Sequence, residues 1–356
     1  MMHLAPILLM AGLAALQPSQ EDALRAIARG EKFEWKLEAG QAAELEKKAE
    51  AYLDNFQKHH LPHGLNADVW WTDDARTGII QYDGLGDSAC WTGHYLAALA
   101  LKYSVTKDAE TKAEILATLD AFDLLTTISG REGYVARYAG PAADKAYQPY
   151  YRPYGRGEDP ERPGLGKWAY KGAMPRNNLV WLGNSSRDTY DGTAIGLAAV
   201  LKHVDDAEAQ ARARELVRRI GKRLIADQWY IDDGQGHRTR PTTSWQAAWM
   251  RLLLSADPEQ FGHIRTDYDA QFEKILQRRD RIRMRGKHED EYFPANLDFA
   301  RFFVLCSLET DPDRARACKD LLRTAWTQVS DHLNAHFAAM YLLLTGDRDD
   351  TALATV

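Results

Sequence analysis

The helical stretches of this chain alternate between two kinds, and that alternation constrains the fold more than any other feature. One kind is apolar almost all round: Asp87–Tyr103 (DSACWTGHYLAALALKY), Arg187–Val204, Ser244–Ser255, Ala295–Leu308 and Asn334–Leu344. The other carries charge along one face: Gln41–His60, Glu110–Ser129, Ala207–Gln228, Asp267–Arg279 and Asp313–His332. A helix that is apolar on every side must be covered on every side, whereas one with a charged face borders water. The alternation therefore predicts inner helices walled in by outer ones, as a repeat of helical hairpins with short links in the C-terminal half. The expected class is all-α. The first two inner members also look alike: Leu96-Ala97-Ala98 matches Leu197-Ala198-Ala199, and the same slide superposes Asp87 on Asp188.

Strand signal is weak, confined to Tyr134–Tyr138 and Trp229–Ile231. Asp22–Gly30 reads as an extra helix, with Asp22 as N-cap and Gly30 as its stop. Two connections are long. Asn66–Gly86 holds Trp70, Trp71, Asp73, Asp74 and Asp83. Gly130–Ser185 holds Tyr147, Tyr150, Tyr151, Tyr154, Trp168, Tyr170 and Trp181. Long loops are functional or disordered, and disorder is poor in aromatics, so both read as ordered walls.

Composition narrows the partners. The 356 residues include 10 Trp and 16 Tyr and carry a net charge of −6. Without a basic excess, no nucleic-acid partner is expected. Abundant Trp and Tyr serve either a core or a surface that stacks flat rings such as sugars. Within Met1–Gln20, the apolar run Leu4–Leu16 is too short for a membrane span and reads as a secretory signal. One domain over residues 21–356 would follow, with no membrane span. Cys90, Cys306 and Cys318 read as buried thiols, or as a Cys306–Cys318 bridge in an oxidising compartment.

The polar starts of the inner helices are Gly86-Asp87-Ser88, Ser185-Ser186-Arg187-Asp188, Thr243-Ser244-Trp245, Asn296-Leu297-Asp298 and Asn334-Ala335-His336. With the alternating hairpins, they resemble the six-hairpin glycosidase-like superfamily of (α/α) toroids over about residues 41–346. The resemblance implies an (α/α)5–6 toroid with parallel inner helices and long rim loops. It also implies hydrolysis, eliminative cleavage or epimerisation of a carbohydrate at the end where the inner helices begin.

Capping alone explains many polar residues at helix starts. It does not explain residues one turn deeper. Asp87, Trp91, His94 and Tyr95 share one helix face, and Asp188 and Asp191 share another beside Arg187 and Tyr190. Polar groups on an apolar helix need partners or a wet cavity. Glycoside hydrolysis needs two carboxyl groups flanking the scissile bond, so Asp87 with Asp188 or Asp191 is the expected catalytic set. Asn296 and Asp298 are further candidates for substrate contact. His94 or His336 with Tyr190 or Tyr95 would suit a lyase or epimerase. Trp70, Trp71, Trp91, Trp181 and Trp245 are candidate stacking platforms, whereas Trp249 and Trp326 read as core. A non-catalytic glycan-binding protein or scaffold is the reading from another class.

No cofactor or metal is expected. There is no P-loop, and Gly164-Leu165-Gly166 precedes no βα unit. Asp73, Asp74, Asp83 and Asp87 offer oxygen donors that calcium can use but form no EF-hand. His59, His60 and His63 match no zinc spacing. The basic run Arg278–Lys287 reads as a solvated helix end. Oligomeric state is not legible.

Overall fold

A computed structural model describes residues 39–141, 168–278, 284 and 293–356. The apolar N-terminal run, the expected Asp22–Gly30 helix, Tyr147, Tyr150, Tyr151, Tyr154, Gly164–Gly166 and all of the basic run but Arg278 and Met284 lie outside the described residues. The described chain is mostly helical, with three small antiparallel sheets. It gathers into two compact units: His59–Tyr268, and a second drawn from the chain on either side of it.

Helix α1 (Ala39–His59) opens the described chain, and strands β1 (Asp68–Trp71) and β2 (Ile79–Asp83) follow as a hairpin. The larger unit then runs through helices α2 (Ser88–Thr106) and α3 (Ala109–Thr127), and strands β3 (Tyr138–Pro141), β4 (Ala169–Lys171) and β5 (Leu179–Leu182). Helices α4 (Arg187–His203) and α5 (Ala207–Ala226), strands β6 (Ile231–Asp232) and β7 (Arg238–Thr239), and helix α6 (Thr243–Ala256) come next. Short α7 (Pro258–Phe261) leads into α8 (Arg265–Leu276).

Glycine sets the centre of this unit. A Cβ on Gly93 would stand 1.8 Å from the Gly192 carbonyl oxygen, one on Gly192 would stand 2.2 Å from the Cys90 carbonyl oxygen, and one on Gly196 would stand 2.6 Å from that of Gly93. Only bare backbone permits this crossing of α2 and α4. Cys90 lies beside Gly192 and Gly93 beside Gly196, so the two helices run parallel and begin at the same end. The outer helices repeat the direction. Asp120 and Asp123 of α3 meet Arg212 and Arg219 of α5, each at 2.6 Å. Both outer helices start on aspartate caps: Asp108 accepts from the Thr111 N–H at 2.6 Å, and Asp206 from the Ala209 N–H at 3.0 Å. Helix α6 begins beside α4, where the Trp245 indole donates to the Arg187 carbonyl at 3.3 Å.

The second unit holds α1 up to Lys58, α8 from Asp269 onward, and α9 (Phe293–Leu308), α10 (Pro312–Trp326), α11 (Ala335–Thr345) and α12 (Asp350–Thr355). Phe299 stacks on Phe337 at 4.5 Å and Trp326 on Tyr341 at 5.2 Å, joining α9 and α10 to α11. Asn334 caps α11, and Gly346 ends it with φ +70°.

The helices expected from periodicity fall on observed ones, with ends shifted by a few residues. The expected Asp313–His332 helix stops at Trp326, and a short turn at Ser330–His332 follows. The long connections are not structureless: β1–β2 occupies the first, and the sheet β3-β5-β4 flanks the second. The strand expected at Tyr134–Tyr138 forms instead at Tyr138–Pro141, because the Val135 and Ala136 N–H groups donate to the Tyr190 hydroxyl and the Leu125 carbonyl. Trp229 takes φ +67°, which no strand accepts, so β6 begins at Ile231. Among the three cysteines, all are free thiols.

Candidate functional site

The paired starts of α2 and α4 concentrate the polar residues of the larger unit. Arg137 holds both approaches. Its Nε donates to the Asn184 carbonyl at 2.9 Å and its Nη1 to the Gly86 carbonyl at 2.6 Å. The same Nη1 lies 3.6 Å from Asp87 Oδ1, and the Asp87 side chain is 45% exposed. Asp87 sits at the N-cap position of α2 without capping it through its side chain. Asp188 lies in the first turn of α4, and its Oδ1 is buried with no hydrogen-bond partner among the described residues. Asp191 is buried one turn deeper. Burial first, then the charges of Asp188, Asp87 and Asp191, push the Cys90 thiol well above its ordinary value. All three carboxylates therefore bear on one sulfur. Helix N-termini favour such anions through free N–H groups and the positive dipole end.

The approach to α4 is rigid. The Tyr134 hydroxyl donates to Ser185 Oγ at 2.8 Å, and Ser185 Oγ donates to the Val135 carbonyl at 2.6 Å. The Tyr190 hydroxyl accepts from the Val135 N–H at 3.1 Å. Burial raises both phenols, so they stay protonated. Asn184 turns the chain at φ +52° and donates its N–H to Asp233 Oδ2 at 2.9 Å. His237 Nδ1 lies 2.8 Å from that same oxygen.

Sequence reading missed Arg137, Asp233 and His237. Asp-Asp-Gly-Gln-Gly-His (residues 232–237) is a turn with a histidine four places after an aspartate. That local pattern was the available signal for the second and third. Nothing local marked Arg137.

The expected aromatic platforms divide sharply. Trp70 is 52% exposed, and its indole N–H donates to Asp83 Oδ2 at 3.2 Å. The strand register puts Asp68, Gln81 and Asp83 on the same hairpin face as Trp70. Trp71 is half-buried, with the His59 ring at 5.0 Å. Trp91 is partly exposed and lies 5.2 Å from the His94 ring. Trp181 and Trp245 are buried: the first donates to the Lys171 carbonyl at 3.1 Å, and the second packs on Tyr190 and Trp249. These two and Tyr190 are framework in this structure. Trp249 and Trp326 are buried, as the sequence reading expects.

The remaining candidates also have structural engagements. His94 is buried, its Nδ1 lies 3.0 Å from the Cys90 carbonyl, and burial lowers its pKa. The Tyr95 hydroxyl donates to Glu114 at 3.2 Å. Arg187 donates to the Arg240 carbonyl at 3.0 Å. Asn296, Asp298 and His336 belong to the second unit. There Asp298 meets Arg301 at 2.7 Å, and burial raises its carboxyl pKa against the pull of that arginine.

The acidic loop residues anchor turns. Asp73 accepts from the Thr77 N–H and hydroxyl, which lower its pKa. Asp83 accepts from the Gly84 N–H at 2.8 Å. His60 is buried against the Ala67 carbonyl. Among the described residues no group of histidine, cysteine or acidic side chains is placed to hold a metal ion, and no helix is long and apolar enough to cross a membrane. No known protein family, curated protein or solved structure matches this chain.

Proposed function

We propose that this protein is an exported carbohydrate-active enzyme, a glycoside hydrolase whose paired carboxyl groups are Asp87 and Asp188. The observation that carries the reading is their placement. Two parallel helices in backbone contact start side by side, one with a carboxyl group at its N-cap (Asp87) and the other with one in its first turn (Asp188), and the Asp188 group has a buried oxygen without a donor among the described residues. A buried acceptor left unpaired is costly unless something fills it. A substrate hydroxyl fills it here.

Hydrolysis of a glycosidic bond uses one carboxyl group to protonate the leaving oxygen and a second to activate water or to attack the sugar. Arg137 Nη1 stands 3.6 Å from Asp87 Oδ1, and a cation beside a carboxyl group suits the second role. Asp188 takes the first. Trp70, exposed and held at its edge by Asp83, offers a flat apolar face for a sugar ring. The parallel pairs α2/α4 and α3/α5 support an (α/α) toroid as the architecture, and the apolar run before Gln17 supports export.

A panel of polysaccharides read by reducing ends and by near-ultraviolet absorbance tests the reading. Reducing ends without absorbance are expected, because hydrolysis leaves no new double bond. Products that absorb would make the chemistry elimination. Binding without turnover on every glycan would make the protein a glycan-binding module. Either result overturns the hydrolase.

A further inference from the structure

Asp233 and His237 take no part in that scheme, yet they form the most completely oriented acid–imidazole pair among the described residues. Asp233 is 2% exposed. Its Oδ1 accepts from the Gln235 N–H at 2.7 Å and the His237 N–H at 3.1 Å, and its Oδ2 accepts from the Asn184 N–H at 2.9 Å. That Oδ2 also faces His237 Nδ1 at 2.8 Å. A carboxylate on Nδ1 places the ring proton there and leaves Nε2 with its lone pair. His237 Nε2 has no partner among the described residues, and the side chain is 30% exposed. Trp168 stands edge-on to the ring at 6.3 Å, giving the acceptor an aromatic wall.

Asn184 ties this pair to the carboxylates. Its N–H goes to Asp233, and its carbonyl accepts from Arg137, the partner of Asp87. Asp188 follows four residues later. The imidazole is thus fixed by the same short segment that fixes the candidate catalytic pair. It is joined to that pair through intervening residues rather than touching it, so it stands apart from the reacting bond.

We propose that His237, oriented by Asp233, is a sugar-binding residue: its Nε2 accepts a hydrogen bond from a hydroxyl of a carbohydrate unit lying beyond the cleaved bond, against Trp168. The proposal rests on the carbohydrate reading and adds a subsite to it. A ring-nitrogen acceptor held in one orientation discriminates hydroxyl positions, because a bound unit that presents no donor leaves the lone pair covered and unpaired.

The test is long-range ¹⁵N–¹H NMR of the full chain with labelled histidine and tryptophan, titrated with neutral glucan and xylan hexasaccharides. In the free protein His237 should show a bare Nε2 and a protonated Nδ1, and a bound hexasaccharide should shift the Nε2 signal. His237→Leu should raise the hexasaccharide dissociation constant about ten-fold, the loss of one hydrogen bond. His237→Gln, which keeps an acceptor, should recover most of it. On a cleaved hexasaccharide, the change should fall in KM with kcat kept within about two-fold. A hexasaccharide that shifts the Trp70 indole but leaves His237 unmoved would overturn the subsite and leave the carbohydrate reading standing. A protonated Nε2 in the free protein would overturn it too. If no hexasaccharide shifts any resonance, the carbohydrate reading falls and takes the subsite with it.

Discussion

Gly192→Ala is the sharpest structural perturbation in the molecule. The added methyl would sit 2.2 Å from the Cys90 carbonyl oxygen, with the Cys90 Cα at 2.4 Å. Ordinary contact needs roughly 3.5 Å, so the α2 and α4 backbones must part by about 1 Å at their crossing. Both are backbone atoms, not a side chain that can swing away. Forcing volume into a packed core costs about 1–3 kcal/mol, and a backbone clash belongs at the upper end. Alanine returns about 1 kcal/mol of helix propensity relative to glycine. The net cost is about 2 kcal/mol, which in a domain of roughly 200 residues lowers Tm by about 4–8 °C. Differential scanning calorimetry reads this directly. Gly262→Ala is the control, since a Cβ there meets nothing within 4 Å. The parting also moves Asp87 from Asp188, so activity should fall further than stability explains. A Gly192→Ala protein melting within about 2 °C of wild type would refute the backbone crossing.

Other expectations follow from burial and charge. His94 and His60 are buried with lowered pKa values, so the unfolded chain protonates first as pH falls below 6.5. The larger unit should lose stability from about pH 7 to pH 5, and His94→Gln should flatten that slope in urea melts. An unchanged slope would remove His94 as its source. Asp347 is held at about 2 by Arg323, with help from Tyr341. Its contribution should be intact above its ordinary value of 3.8 and lost as pH falls through about 2, and Arg323→Met should abolish this acid-range loss. Trp181→Ala should cost about 3–5 kcal/mol, whereas Trp70→Ala should leave stability within about 0.5 kcal/mol. Equal chemical-denaturation midpoints for the two variants would contradict the burial assigned to them.

Much of the helical framework was legible because the 3.6-residue period and the aspartate caps are local signals. The pairing of α2 with α4 also left a trace, since the slide that matches Leu96 to Leu197 carries Cys90 to within one residue of Gly192. What let the pair close, backbone contact at Gly93, Gly192 and Gly196, looks in sequence like any small-residue helix. The aromatic residues were harder to place. Trp181 and Trp245 stand beside polar residues in sequence, and only long-range packing on Tyr134, Tyr170, Tyr190 and Trp249 buries them. Arg137 escaped for the same reason: its partners Asn184 and Gly86 lie 47 and 51 residues away. The β1–β2 hairpin was missed because its turn lacks an Asn-Gly or Asp-Gly signal and a bulge breaks the alternation at Trp70–Trp71.

The measurement that bears most directly on the central claim is the turnover of Asp188→Asn on whichever glycan the wild-type protein cleaves. Asparagine keeps the shape of the site and removes the transferable proton. General acid catalysis contributes about 10²–10⁴-fold, so kcat should fall by that factor with the fold intact by circular dichroism. An Asp188→Asn protein that retains kcat within about ten-fold of wild type would contradict the carboxyl pair as the seat of the reaction.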